Sequence, residues 1–287
     1  MLAYDIRGRG PGLVLLHGIG STGTGTWGAL ADRLAADHTV VLPDLPGSGR
    51  SPLPGGPLET GALADQVLAT ARAAGLGDFV VAGASVGAAV AVAVAAHGPD
   101  RVRGLFTLAG FARPRTALWL SLELWASVAA RQDGTSGSFL TSLCFSEEHL
   151  ASLTPEEEQR LAARPVASAP GTSQQIALAL GLDVRRLLPA VAAPTLVVAA
   201  MGDRLVAPEH SVELAEGIPG ARLAAVRGGH AATVEEPERI GDILTDFLRE
   251  VHGRGAGTPE PPAFQRTSGT GRRFLPALPR PARPARP

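Results

Sequence analysis

The chain has 287 residues, 45% of them hydrophobic and 18% charged, which is enough apolar material to bury a large core and build one elaborated domain. A formal charge of −1 gives no reason to expect nucleic acid or an anionic membrane as partner, and the single cysteine, Cys144, excludes an intrachain disulfide. No apolar stretch reaches transmembrane length and residues 1–7 hold no apolar segment of signal-peptide length, so a cytoplasmic protein is expected, a monomer or homodimer acting on a small molecule.

In chain order, β-rich apolar runs alternate with helical stretches. Strand candidates are residues 2–6, 13–16, 39–42, 79–82, 102–109, 195–200 and 221–226. Helix candidates are residues 27–36, 60–74, 86–97, 208–216 and 238–251. This alternation predicts an α/β fold with a mostly parallel central sheet and helices on both faces. The stretch after residue 85 is apolar nearly all round, as a helix buried against a sheet must be.

The chemistry gathers at the ends of the predicted strands, where open α/β sheets place their ligands and catalytic groups. Gly83-Ala84-Ser85-Val86-Gly87 reads G-x-S-x-G between a strand and a helix, the context of a nucleophile elbow, in which small neighbours let strand and helix approach. A serine hydroxyl needs a base within reach and a third group to orient that base. His230, in Arg227-Gly228-Gly229-His230, and Asp203, just past the run 195–200, are the candidates. The order Ser85, Asp203, His230 is that of the α/β-hydrolases and differs from those of chymotrypsin and subtilisin. Leu13-Val14-Leu15-Leu16 runs into His17-Gly18-Ile19-Gly20, a glycine-rich strand exit able to aim a backbone N–H at an oxyanion; the N–H of Val86, after the nucleophile, would supply another.

With these motifs the chain resembles the α/β-hydrolase superfamily from Leu2 to about Val251, in particular serine hydrolases with a helical cap such as its enol-lactonase and esterase-like members. The resemblance implies that Ile19 gives the first oxyanion N–H and that His17 is mainly structural while lying beside the pocket. The family's loop Asp-x-Pro-Gly-x-Gly-x-Ser stands here as residues 44–51, and its acid loop as residues 201–208, with altered spacing around the glycine and one alanine inserted before the proline. The implied organisation is a core of residues 1–110 and 191–252 with a helical cap of residues 111–190 between its two parts. In the cap, candidate helices are residues 117–131, 139–143, 146–153, 155–163 and 172–180, with Thr154 as N-cap of the fourth. Trp119, Leu122, Trp125 and Val128 recur at helical spacing; they read first as packing of cap on core, and Trp119, Leu122 and Trp125, with His17 and Gly18, are the candidate substrate contacts.

Gly18-Ile19-Gly20-Ser21-Thr22-Gly23 also satisfies the dinucleotide fingerprint G-x-G-x-x-G, with Asp44 near the distance of a ribose-binding carboxylate. Against that reading, Gly23 is expected in a loop with the helix starting near Trp27, and Asp44 is expected to hold its own Pro-Gly turn. No metal and no cofactor is expected, because the remaining histidines show no ligand-type pairing. Cys144 reads as a small apolar residue. Residues 253–287, rich in proline and arginine, read as a disordered tail whose partner, if it has one, is unspecified.

The expected function is a serine hydrolase that cleaves a carboxylic ester, lactone or related acyl bond of a small to medium, largely apolar substrate. Two alternatives stay open on the same residues: non-hydrolytic chemistry on this fold, such as carbon–carbon bond cleavage or a lyase or cyclase reaction of a biosynthetic pathway, and a catalytically silent ligand-binding protein.

Overall fold

A computed structural model describes residues 1–129, 135–163 and 169–254. The sheet has seven strands: β1 (Tyr4–Arg7), β2 (Gly12–Leu16), β3 (Thr39–Pro43), β4 (Phe79–Ala84), β5 (Val102–Leu108), β6 (Thr195–Ala200) and β7 (Arg222–Val226). Their spatial order is β1-β3-β2-β4-β5-β6-β7. Only β1 runs antiparallel to its neighbour β3; the other pairings are parallel. The expected α/β fold with a mostly parallel sheet is the fold observed.

The pleat sorts the strand side chains into two cores. Val14, Leu16, Val41, Val81 and Leu105 face one way and pack under α2 (Thr60–Ala73) and α3 (Val86–His97). Leu13, Leu15, Val40, Val80 and Phe106 face the other way, under α1 (Gly23–Leu34) and α11 (Pro237–Arg254). On α1 the buried stripe is Trp27, Leu30, Ala31 and Leu34, and on α11 it is Ile240, Leu244, Phe247, Leu248 and Val251; both follow the period of a helix with one face on a sheet. Helix α3 has no polar face and is buried along its length up to Ala95, because it lies between the sheet and the other helices.

Helix α1 begins at Gly23 and not near Trp27, which corrects the sequence reading. Thr22 supplies the N-cap, its hydroxyl accepting the Gly25 N–H at 2.9 Å. Gly23 fits against β3 so tightly that a Cβ there would come within 2.8 Å of the Leu42 Cβ.

Among the described residues, five helices lie between β5 and β6: α4 (Thr116–Ala129), α5 (Thr135–Cys144), α6 (Glu147–Ala151), α7 (Pro155–Ala163) and α8 (Thr172–Gly181). Leu118, Leu122, Trp125 and Val128 of α4 join the same apolar cluster as α2 and α3. Thr154 caps α7 in a reciprocal box: its hydroxyl accepts the Glu157 N–H, and the Glu157 carboxylate accepts the Thr154 N–H at 2.9 Å. After a 3-10 turn at Leu188–Ala190 the chain enters β6; α9 (Glu209–Gly217) joins β6 to β7, and α10 (Ala232–Glu235) precedes α11. Among the described residues no helix is long and apolar enough to cross a membrane. The tail expected from residue 253 lies, from residue 255 onward, outside the described residues.

Helix α3 packs closely on the end of β2. A Cβ on Gly87 would stand 2.5 Å from the His17 carbonyl oxygen and 2.7 Å from that of Leu16, whereas one on Gly28 in α1 would meet nothing within 4 Å. Gly87→Ala is therefore expected to lower Tm sharply or abolish folding. Gly28→Ala should stabilise by roughly 0.5–1 kcal/mol through helix propensity. Parallel thermal melts of the two variants check this; a Gly87→Ala protein as stable as wild type would contradict the contact.

Candidate active site

Ser85 stands between β4 and α3 at φ 57°, ψ −126°, a backbone region that residues with a Cβ rarely adopt and that costs about 1–3 kcal/mol. The turn is held from both sides: the Ser85 N–H donates to the Leu108 carbonyl and the Ser85 carbonyl accepts the Ala88 N–H, each at 3.0 Å. Its sharpness explains the flanking glycine, since a Cβ on Gly83 would lie 2.2 Å from the Gly87 carbonyl oxygen.

Asp203 follows β6 and His230 follows β7, so two adjacent parallel strands deliver them side by side. The His230 Nδ1 and the Asp203 Oδ2 are 2.7 Å apart. The other carboxylate oxygen, Oδ1, accepts the N–H groups of Leu205 at 2.9 Å and Val206 at 2.8 Å, and the Asp203 side chain is fully buried. A carboxylate so engaged acts as an acceptor toward His230, which puts the imidazole proton on Nδ1 and leaves the Nε2 lone pair free. The two loops are tied by the Gly202 N–H, which donates to the Gly228 carbonyl at 3.0 Å. Glu235 braces the histidine loop, accepting the Gly229 N–H at 3.0 Å and, from the segment after α5, the Ser146 hydroxyl at 2.5 Å. Ala231 N–H donates to the Cys144 carbonyl at 2.8 Å.

On the opposite side, the N–H groups of Ile19 and Val86 have no acceptor among the described residues. The loop that carries Ile19 is fixed from beneath. Leu45 N–H donates to the His17 Nε2 at 2.8 Å, so the His17 proton sits on Nδ1 and donates to the Gly18 carbonyl at 2.7 Å. Burial pushes the His17 pKa down to about 4, against the opposing effects of the Gly18 carbonyl and the Asp44 charge. Trp27 donates its indole N–H to the Leu16 carbonyl at 2.9 Å.

Asp44 does hold its turn, Oδ2 accepting the Arg50 N–H at 3.2 Å, and its Oδ1 accepts the Gly23 N–H at 3.1 Å. That second bond puts a carboxylate on the first N–H of α1, where a dinucleotide's pyrophosphate would have to sit. Although Gly23 is helical, the fingerprint is thus occupied from within.

Ser85 and His230 line one cavity of about 230 Å³. Its walls are mainly apolar, with Ile19, Leu108, Trp125, Leu140, Leu205 and Val234 among them, and Thr172 and Cys144 on the side of the helical insertion. Of the sequence candidates, Gly18 and Trp125 line it and His17, Trp119 and Leu122 do not. His17 is buried beneath the loop, and Leu122 is buried in the apolar cluster between insertion and core. Trp119 is 42% exposed, because the inward stripe of α4 starts at Leu118 and the next residue is turned about 100° away from it. Cys144 borders the cavity, a placement its sequence context does not signal, and its thiol is pushed up to about 12 by burial and by the Asp203 and Glu235 charges. It is a wall of the site and not a thiolate. Among the described residues no group of three or more histidine, cysteine, aspartate or glutamate side chains gathers as a metal site.

Comparison with known proteins agrees with this fold. The sequence model of the alpha/beta hydrolase fold family matches residues 11–237. The chain therefore belongs to the alpha/beta hydrolase fold family, and it is an enzyme of the hydrolase type. It is 32% identical over 250 residues to pyrrolizixenacetamide deacetylase of Xenorhabdus hominickii, covering 86% of this chain and 94% of that protein. It is 31% identical over 262 residues to the pimeloyl-[acyl-carrier protein] methyl ester esterase of Stenotrophomonas maltophilia, covering 88% and 98%. Among solved structures, a thermophilic esterase from Thermogutta terrifontis matches with a TM-score of 0.73 at 29% identity, over 88% of this chain and 94% of that one.

The neutral His17 has a consequence for stability. In the unfolded chain this imidazole takes a proton near its ordinary value of 6.5 and in the fold only near 4. Between these values the unfolded state binds more protons, so stability falls as the pH drops from 6.5 toward 4. From pH 7 to pH 5 the expected loss from His17 is about 2 kcal/mol. Urea unfolding at the two pH values measures it, and ¹⁵N spectra should show His17 still neutral and protonated at Nδ1 at pH 5. A charged His17 at pH 5 would contradict the assignment.

Proposed function

We propose that the protein hydrolyses a carboxylic ester, lactone or related acyl bond through an acyl-enzyme, with Ser85 as nucleophile, His230 as general base and acid, and Asp203 as the group that orients the imidazole. The observation that carries this reading is the meeting, in one largely apolar cavity, of a serine on a strained strand-to-helix turn, an imidazole bonded through Nδ1 to a buried carboxylate, and Ile19 with its backbone N–H unengaged, the N–H of Val86 next to the serine being likewise unengaged.

Each part has a task. The Ser85 Oγ attacks the carbonyl carbon as its proton passes to the His230 Nε2. The carbonyl oxygen becomes the anion of the tetrahedral intermediate and is held by the Ile19 and Val86 N–H groups, whose dipoles are already in place and need no reorganisation. Collapse of the intermediate expels the alcohol or amine, which takes the proton from His230, and water repeats the sequence on the acyl-enzyme. Asp203 stabilises the imidazolium that forms in both halves of the cycle.

Substrate size follows from the walls. A cavity of about 230 Å³ lined mainly by aliphatic groups suits a short acyl or alkyl group at the scissile bond. The names of two relatives, a deacetylase and a methyl ester esterase, also describe the removal of small groups, and they support the choice of short esters and acetamides as test substrates.

Exposure to a fluorophosphonate should add one label by intact mass, and Ser85→Ala should take none. The same variant should lose roughly 10⁴-fold or more of the turnover of a short p-nitrophenyl ester. Reaction in H₂¹⁸O should place the isotope in the released acid, which separates hydrolysis from lyase or cyclase chemistry, and an alcohol or amine as the second product separates it from carbon–carbon cleavage. Turnover that survives in Ser85→Ala would overturn the assignment.

A further inference from the structure

Gln175 lies on α8, in the helical insertion, far in sequence from every residue assigned above. Its side chain is 1% exposed and all its polar atoms point into the core. The amide oxygen accepts the N–H of Gly20 at 2.8 Å. The amide nitrogen donates to the Pro46 carbonyl and to the Ser48 hydroxyl, each at 3.0 Å. One turn earlier, the Gly171 N–H donates to the Gly47 carbonyl at 2.8 Å, and the two glycines approach so closely that a Cβ on Gly171 would stand 2.6 Å from the Gly47 Cα. A single buried amide thus joins three pieces of chain: the insertion, the loop 46–48, and the residue immediately after Ile19.

We propose that Gln175 is a positioning residue for the oxyanion site: it fixes the Ile19–Gly20 peptide, which restricts rotation about Ile19 and so steadies the adjoining Gly18–Ile19 peptide that carries the Ile19 N–H, and it makes that placement depend on the seating of the insertion. The inference rests on the hydrolase reading above. Its physical basis is that Gly20, at φ 71°, stands in the left-handed region where a glycine loop has most freedom, and a loop of glycines does not hold an N–H on target by itself. From below, His17 holds the Gly18 carbonyl; from above, Gln175 holds the Gly20 N–H. Ile19 is pinned between them with its own N–H left unengaged. Gln175 touches neither Ser85 nor His230 through a hydrogen bond, and it acts through the loop.

The test compares wild type with Gln175→Met, which keeps length and bulk and removes the three hydrogen bonds. Kinetics on a short p-nitrophenyl ester are paired with inhibition by benzeneboronic acid, which adds to the serine oxygen and places an oxygen in the oxyanion position. A donor set off target affects the transition state more than the ground state. The expected result is a kcat lower by roughly 10- to 100-fold, a KM within about threefold of wild type, and a boronic acid affinity that falls in step with kcat/KM. A kcat within threefold of wild type, or a fall in kcat without a matching fall in boronic acid affinity, overturns the proposal. Amide exchange on the wild-type protein needs no variant: the Gly20 N–H should be protected and that of Ile19 should exchange at loop rates until boronic acid binds. An unprotected Gly20 amide also overturns it. Wild-type turnover with a Met variant that behaves normally refutes the clamp alone, whereas ester turnover that persists in Ser85→Ala refutes the hydrolase reading and the clamp with it.

Discussion

The turn at Ser85 is the constraint on which the rest of the structure depends. A residue with a Cβ is held at positive φ only if its surroundings leave no alternative, and here those surroundings are the inner end of the sheet. The bond from the Ser85 N–H to Leu108 ties the turn to β5. The missing side chains at Gly83 and Gly87 let α3 fall onto the carbonyls of Leu16 and His17. The same contact that strains the serine therefore sets the height of α3 above β2, and with it the separation of the Val86 N–H from the loop that follows β2. Nucleophile turn and oxyanion donors belong to one mechanical unit.

Around that unit the polar atoms of the Asp203 and His17 side chains are all engaged. Asp203 spends one oxygen on two backbone N–H groups and the other on His230. His17 is used at both nitrogens, and burial keeps it neutral, so its Nε2 remains an acceptor for the Leu45 N–H. Burial likewise keeps Cys144 a thiol, and the Asp203 and Glu235 charges add to the effect. A cavity wall with sulfur in it can thus stand beside an activated serine without offering a rival nucleophile.

What could be read in the sequence was what local geometry dictates. A G-x-S-x-G turn, a strand that ends at Asp203 and another that ends just before His230 are short-range patterns, and the order of parallel strands then brings their ends together. What could not be read depends on contacts across the chain. A run of glycine and threonine reads as loop, which puts the start of α1 near Trp27; the helical state of that run is stabilised by the Thr22 cap and by Asp44, 21 residues beyond Gly23. Residues 119, 122, 125 and 128 share a helical period, which makes Trp119 a pocket candidate, yet that period cannot tell one face from the face starting at Leu118. Gln175 and Glu235 carry no motif at all: a glutamine and a glutamate on helices read as solvent-facing until a partner loop is seen.

Those two residues describe how the helical insertion is joined to the core. On the oxyanion side Gln175 holds Gly20 and the loop 46–48; on the histidine side Ser146 and the Cys144 carbonyl meet Glu235 and Ala231. Each attachment uses buried hydrogen bonds aimed at a loop that carries a reacting group, while apolar packing through Leu118, Leu122 and Val128 supplies the area. Apolar packing is tolerant of small shifts, whereas a hydrogen bond between buried groups is lost with a fraction of an ångström and leaves both partners unpaired. The insertion is therefore located on the core by its polar contacts and held there by its apolar ones. Any substrate wall it contributes, such as Trp125, Leu140 or Thr172, inherits its position from Gln175 on one side and Glu235 on the other.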